Sequence, residues 1–540
     1  MKKHQLIILH PFLLAVYPAL SLLAFNIDEI TPQKALRPLV VSLLSSIVLV
    51  LVIRLITRDW HRAGLLGSLF IVLFFSYGHI YQLCKDVTVA GFMLGRHRYL
   101  VSLWVLLLGA GIWWIKYRLR DPYRITNYLN IVAAIALALP TYNILVFLAR
   151  PAANFRPDQI PQAQGSQAVH YATGDQLPDI YYIILDGYAR ADVLLEVFGY
   201  DNSEFLDFLT EKGFYIAQNS RSNYAQTRLS LASSMNIDYI NYLTNSIEDN
   251  PRRSILGKLI KESRIRTFLG SLGYQMISFS SGYVPTDIED ADLYLSPGES
   301  VISEFEVLLL SNSLGRVMME KSPAFNPITR GKYDPLMYLP YTTHRTRILY
   351  TFDRLADIPT IPGPKFVFVH ILAPHPPFVF GQNGEEIESD LVYSLADGSY
   401  FKGNREEYIS GYRNQLIYLN KLLKKAIKEI LVKSKTSPII VLQGDHGSGA
   451  FVDWSSIDRT CLKERMSILN AYLLPEGGES YLYSSITPVN SFRVVFDAYF
   501  GTNFGLLEDK SYFSLWERPY DFIDVTNRID ESVCSWPGTE

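Results

Sequence analysis

Residues 438–447 read PIIVLQGDHG, an apolar run that stops abruptly at Gly444-Asp445-His446-Gly447. The run does not alternate, so it suits a strand buried on both faces rather than one with a wet side. Similar runs occur at IYYIIL (180–185), FVFVHI (366–371) and YQMISF (274–279). Helical stretches lie between them. The clearest covers about 404–432, with Ile409, Tyr412, Leu416, Leu419, Leu423, Ile427 and Ile430 on one stripe and Lys and Glu elsewhere. Strands alternating with helices predict an α/β domain over 178–540, a mostly parallel sheet with helices on both faces. In open sheets of this kind, ligands bind at the carboxyl ends of the strands. Asp186 ends the first run, Asp445-His446 ends the run at 438–443, and His370 lies near the end of another.

These residue types suit a cation. The glycines around Asp445-His446 allow a tight turn, which can aim a carboxylate oxygen and an imidazole nitrogen at one ion. Asp186 is by itself as consistent with an ordinary strand-end carboxylate as with a ligand. Its pairing with the other strand end favours the ligand. The segment SNYAQTRLSLASSMN (222–236) puts Thr227 just before an expected helix. A helix N-terminus favours an alkoxide and an incoming anion, although a plain N-cap hydroxyl has the same signature. APHPPF (373–378) places His375 in a stiff proline loop beyond a strand. There it can donate to a substrate oxygen or protonate a leaving group. His370 is as consistent with a packed core histidine as with a substrate contact.

Upstream, residues 1–150 hold apolar segments at about 5–25, 36–57, 63–84, 99–115 and 127–149, the fourth being the shortest. Each approaches the ~20 residues that span a bilayer core. Lys2 and Lys3, then Arg54, Arg58 and Arg62, then Lys116, Arg118, Arg120 and Arg124 mark alternate connections. The positive-inside rule places those in the cytoplasm. Five crossings from a cytoplasmic N-terminus then put everything after Arg150 on the periplasmic or extracellular side of an inner or plasma membrane. Residues 151–177, rich in Pro, Gln and Ala without a period, read as a tether. The expected organisation is therefore a five-helix transmembrane domain (1–150), a linker (151–177) and a catalytic domain (178–540).

A net charge of −3 argues against a nucleic-acid partner. The three cysteines, Cys84, Cys461 and Cys534, offer no zinc-finger spacing. They leave open either a Cys461–Cys534 disulfide or free thiols.

PDIYYIILDGYARAD, SNYAQTRLSLASSMN, HILAPHPPF and VLQGDHG follow one another in an order and spacing that resembles the sulfatase-like domain of the alkaline phosphatase superfamily. The whole arrangement is similar to lipoteichoic acid synthases and lipid A phosphoethanolamine transferases, which place five membrane helices before such a domain. The resemblance implies one divalent metal ion (Mn, Zn, Mg or Ca) held by Asp186, Thr227, Asp445 and His446. It makes Thr227 the nucleophile, matches Ser230 to a T-x-x-S spacing, and matches His375 to a histidine on the substrate phosphate. Departures narrow it. No cysteine lies between 85 and 460, and the Thr227 segment has no S-x-P-x-R. Sulfuric ester hydrolysis is disfavoured accordingly. Asp186 stands where lipoteichoic acid synthases usually carry Glu.

The function expected is transfer of a phospho-headgroup, of phosphoethanolamine or phosphoglycerol type. The donor would be a phospholipid or lipid-linked molecule, and the acceptor a glycan or lipid of the cell envelope. A phosphodiesterase or phosphatase on the same site is the alternative, since only the acceptor differs. An alternative of another class is a non-catalytic envelope assembly protein, against which the intact Asp186, Thr227, Asp445 and His446 set argues.

Overall fold

The computed structural model describes residues 7–27, 30–85, 87–89, 92–149, 177–245, 253–298, 302–321, 335–387, 391, 393–530 and 534. The expected tether falls outside these, apart from Leu177. By contacts the chain divides into two compact units, Met1–Ala152 with Glu299–Pro340, and Ala153–Gly298 with Tyr341–Glu540.

In the first unit every apolar segment is helical: α1 (His10–Phe25), α2 (Leu36–Thr57), α3 (Trp60–Cys84), α4 (His97–Trp113) and α5 (Pro122–Ala149). A two-stranded antiparallel pair, β1 (Thr88–Val89) and β2 (Phe92–Met93), links α3 to α4. Among the described residues, four helices are long and apolar enough to cross a membrane, and α1, with 16 residues, is a shorter apolar one. The fourth segment is thus not the shortest, because helix continues through a π turn to Arg118 and spans 22 residues. Hydropathy stops counting at polar residues, whereas backbone hydrogen bonding does not. His97 at the start of α4 is accommodated by Tyr77, whose hydroxyl lies 2.7 Å from its Nδ1, and by Glu320, 2.6 Å from its Nε2. Helix ends in an apolar setting need protein partners. Asn130 supplies one for α1, accepting from the Leu9 and His10 N–H groups at 3.0 and 2.8 Å.

The helices Glu304–Ser311 and Gly315–Lys321, distant in sequence from this bundle, belong to the same unit. Phe305 and Leu309 pack with Ala19, Leu23, Ala35 and Ile144. Arg37 pairs with Glu306, and Arg316 donates to Glu320 at 2.7 Å.

The second unit is built on a seven-stranded sheet of order β4-β9-β8-β3-β7-β5-β6. Its strands are β3 (Ile180–Leu185), β4 (Tyr215–Ile216), β5 (Gln275–Phe279), β6 (Leu293–Leu295), β7 (Lys365–Ile371), β8 (Ile439–Gly444) and β9 (Asn470–Leu473). β8, β3, β7, β5 and β6 are parallel, and β4 and β9 join antiparallel at one edge. The apolar runs therefore form the centre of the sheet, with no wet face. Alternate residues of β3 serve two cores. Tyr181, Ile183 and Leu185 pack with Tyr412, Leu416, Leu419 and Leu423 of the helix Arg405–Lys433. Ile180, Tyr182 and Ile184 pack with Leu229 and Ala232 of the helix Thr227–Asn236 and with Phe492 and Phe496 of the helix Pro488–Phe500. Each fully buried Ile, Leu or Phe among them contributes about 1.5–3 kcal/mol. Cys461 and Cys534 are bonded, closing a loop across 73 positions, while Cys84 is free.

The parallel register sets the carboxyl ends of neighbouring strands side by side. Leu185 is level with Ile371 of β7 and with Gly444 of β8. The residues that follow, Asp186, the 373–378 loop and Asp445-His446, emerge at one end of the sheet.

Candidate metal centre and active site

Asp186, Asp445 and His446 are buried and place one ligand atom each within 4.8 Å of one another. The turns that carry them also orient them. Asp445 Oδ1 accepts the backbone N–H of Gly187 at 3.0 Å and of His446 at 2.9 Å, which leaves Oδ2 turned inward. His446 Nδ1 lies 2.9 Å from the Gly447 carbonyl, so Nδ1 must carry the proton and Nε2 presents its lone pair. That lone pair lies 3.2 Å from Asp445 Oδ2 and 3.6 Å from Asp186 Oδ1. Among the described residues neither carboxylate oxygen has a hydrogen-bond donor. Burial in apolar protein makes such orphaned acceptors costly unless a cation completes them. A metal-binding imidazole typically donates its other N–H to a carbonyl, as His446 does. The donor set of two carboxylates and one imidazole fits a divalent metal, with Zn²⁺ or Mn²⁺ suited to the nitrogen.

Close backbone packing holds the Asp445-His446 turn. A Cβ on Gly447 would lie 2.0 Å from the Glu464 carbonyl oxygen and 2.8 Å from that of Ser467. Backbone cannot yield there as a side chain would. Gly447→Ala is expected to cost about 1–3 kcal/mol, as overpacking does, seen as a lowered denaturation midpoint of the full-length chain. A midpoint equal to wild type would show that the turn is looser than this packing requires.

Thr227 opens the helix Thr227–Asn236 and is partly exposed among buried neighbours. Its Oγ1 lies 2.9 Å from His446 Nε2. Ser230, one turn on, donates to the Asp445 carbonyl at 2.7 Å and so ties this helix to the Asp445-His446 turn. The hydroxyl, the helix N-terminus and the ligand cluster share one point.

His375 and His370 reach the cluster differently. The loop bearing His375 is held by Gln415, which accepts from Val379 N–H at 2.7 Å and donates to the His375 carbonyl at 3.1 Å. The same helix supplies Tyr412, whose hydroxyl donates to the Gly187 carbonyl at 2.8 Å. His375 Nε2 faces Asp397 Oδ2 at 3.7 Å. His370 turns its Nε2 to Asp186 Oδ2 at 3.4 Å and its Nδ1 to the Thr286 hydroxyl at 2.9 Å. It stands against the far oxygen of Asp186, with Thr286 behind it.

Electrostatics follow from this layout. Burial alone would raise the Asp186 carboxyl, but His375, His370 and His446 outweigh it and hold it below the usual carboxylate range. Burial and the neighbouring Arg465 keep His446 below its ordinary value, hence neutral and able to ligate. Burial would lower His375, yet Asp186 and Asp397 raise it. Asp397, despite burial, is held low by His375, Arg465 and Tyr408.

Asp397, Arg465 and Thr286 carry no motif signature and emerge only in the fold. Asp397 follows a stretch without regular structure, and Arg465 lies in a five-residue helix, Leu462–Met466, ahead of β9.

No protein-family model matches the chain, and no curated protein matches it in sequence. Several solved structures are similar to it in chain course. The zinc complex of the C-terminal periplasmic domain of EptC from Escherichia coli aligns at 12% identity and a TM-score of 0.41, covering 68% of this chain and 95% of that one. The integral membrane lipooligosaccharide phosphoethanolamine transferase A of Neisseria meningitidis aligns at 11% identity and a TM-score of 0.37, covering 91% and 95%. A protein of glycosaminoglycan metabolism from Bacteroides thetaiotaomicron aligns at 13% identity and a TM-score of 0.36, covering 64% and 83%.

Proposed function

We propose that this chain is a membrane-anchored, metal-dependent enzyme of the sulfatase-like type that transfers a phospho-headgroup by way of a covalent bond to Thr227. The observation that carries this reading is the meeting of Thr227 Oγ1 with His446 Nε2 at 2.9 Å, beside the orphaned oxygens of Asp186 and Asp445. Asp186, Thr227, Asp445 and His446 would hold the ion. When bound, it would lower the pKa of the Thr227 hydroxyl and neutralise charge on the substrate oxygens.

The chain's own groups supply the rest. The Thr227 oxygen forms a bond to phosphorus as the bond from phosphorus to the donor's alcohol oxygen breaks. The hydroxyl proton leaves Thr227 for solvent water as it attacks. The departing alkoxide takes a proton from His375, which Asp186 and Asp397 favour in its charged form. A second alcohol then attacks phosphorus and gives its proton to the now neutral His375, while Thr227 departs and takes a proton from solvent water, which restores both groups. The helix N-terminus at Thr227 favours negative charge throughout. An acceptor from the cell envelope gives transfer; water gives hydrolysis.

The apolar helices of the first unit and the charged connections between them support anchoring, with the catalytic domain on the periplasmic or extracellular side. That side would give access to a lipid donor and to a glycan or lipid acceptor. Oxidising conditions there also suit the Cys461–Cys534 bond.

The test is intact-mass spectrometry of the full-length chain in detergent, loaded with Mn²⁺ or Zn²⁺ and mixed with phospholipids of differing headgroup. A phospho adduct whose mass matches one headgroup is expected, and it names the donor class. Phosphate released with no adduct and no acceptor product would favour the phosphodiesterase or phosphatase. Absence of turnover, adduct and metal uptake alike would sink the enzyme reading in favour of an assembly role.

A further inference from the structure

The geometry assigns Arg465 as the residue that grips a substrate oxyanion, and makes it available for that task only when His446 is engaged by a cation. The inference rests on the metal reading of Asp186, Asp445 and His446, and it adds the recognition of the substrate's negative charge.

Arg465 is buried, with its side chain 2% exposed, and its guanidinium is held on every side but one. Nε donates to the Ala225 carbonyl at 2.8 Å. Nη1 donates to Asp397 Oδ2 at 2.7 Å and to the Gly447 carbonyl at 3.2 Å. Its Cζ lies over the Trp454 ring, 4.9 Å from the centroid. The remaining nitrogen, Nη2, lies 3.1 Å from His446 Nε2. Asp397 is itself fixed by the Tyr408 hydroxyl at 2.7 Å. These contacts leave the fork little freedom, and a preorganised donor loses little entropy when it binds.

His446 Nε2 has one lone pair, because Nδ1 carries the proton that the Gly447 carbonyl requires. Arg465 Nη2 and the Thr227 hydroxyl both approach that lone pair, at 3.1 and 2.9 Å. It cannot serve a cation and the guanidinium together. Once Nε2 is a ligand, the buried Nη2 hydrogens lose their acceptor, a costly state for a charged donor. A tetrahedral oxyanion at Thr227 restores one. The Ala225 contact, two residues before Thr227, sets the guanidinium beside the nucleophile. The ligand class is therefore a phosphate ester bearing a negative oxygen, rather than a neutral ester.

Arg465 thus opposes the cation and supports the anion, so its removal should affect the two in opposite directions. A brace for the fold would weaken both. The experiment uses the full-length chain in detergent, stripped and reloaded with Mn²⁺, with calorimetric titration of Mn²⁺ and then of inorganic phosphate. In Arg465→Met, Mn²⁺ affinity is expected to equal or exceed that of wild type, since a competing donor and a positive charge are gone. Phosphate affinity of the loaded protein is expected to fall by about tenfold or more. Arg465→Lys keeps the charge without the fork, should fold where methionine does not, and is expected to fall between them. Phosphate affinity unchanged in both variants would overturn the assignment, as would parallel loss of Mn²⁺ and phosphate affinity in a folded variant. A wild type that takes up no Mn²⁺ would overturn the metal reading instead. Phosphate binding by the metal-free protein that Arg465→Lys weakens would then uphold the arginine as the anion contact and overturn its dependence on the cation.

Discussion

Replacing Asp445 with asparagine is expected to abolish stoichiometric metal binding while leaving the fold intact. Asp445 Oδ1 already accepts two backbone N–H groups, from Gly187 and His446, and the asparagine carbonyl can keep both. The change falls on the inward position, where Oδ2 has no donor among the described residues. An amide there presents N–H to the space the cation needs and removes one negative charge beside Asp186. Outer contacts of metal sites cost about 10–100-fold in affinity, and loss of a ligand should exceed that. Metal content by elemental analysis of the purified full-length chain, with titration of Mn²⁺ and Zn²⁺, reads the result. The metal-free variant should melt no lower than metal-free wild type, because two buried carboxylates no longer face one another. Retention of one metal per chain in Asp445→Asn would remove this cluster from consideration.

The second large effect is at Thr227. Thr227→Ala should form no phospho adduct and lose turnover by about 10³-fold or more, the scale seen when a covalent nucleophile is removed. The three buried ligands remain, so the variant should still take up metal, with lower affinity. Thr227→Ser keeps the oxygen at the same helix position and should retain the adduct. This pair separates nucleophile from ligand: a residue that only held metal would be rescued by excess Mn²⁺, whereas Thr227→Ala should not be. Turnover of Thr227→Ala within tenfold of wild type would mean that water, not Thr227, attacks phosphorus.

Much of this was legible in the residues because the strongest signals are local. The runs at 180–185, 366–371 and 438–443 lack alternation, and only a strand covered on both faces tolerates that. They form the sheet's centre, β3, β7 and β8. Parallel pairing then forces the following residues to one end. Thr227 stands at a helix N-terminus as its segment suggests. The stripe from Ile409 to Ile430 marks the long helix, though its two contributions to the site, Tyr412 and Gln415, do not differ in type from ordinary packing residues. The fourth helix, α4 with its π turn, runs past the 99–115 segment at both ends, because polar residues interrupt hydropathy without interrupting the helix.

The sequence by itself determined the strand and helix pattern, the apolar segments and the strand-end acids and histidine, because each depends on neighbours within a few positions along the chain. Only the tertiary structure decided the rest. Asp397 and Arg465 lie 68 positions apart and acquire meaning by pairing at 2.7 Å across the site. His370 was indistinguishable from a core histidine until its two nitrogens were seen to face Asp186 and Thr286. Helices at 304–321 carry apolar faces that would suit any core, and they pack with the helices of the first unit, Phe305 and Leu309 with α1 and α5, and Val317 with Tyr77, Leu100 and Trp104 of α3 and α4. An apolar face specifies that a surface must be covered. Which surface covers it depends on shape and on partners such as Arg37 for Glu306 and His97 for Glu320, and those are fixed only when distant segments meet.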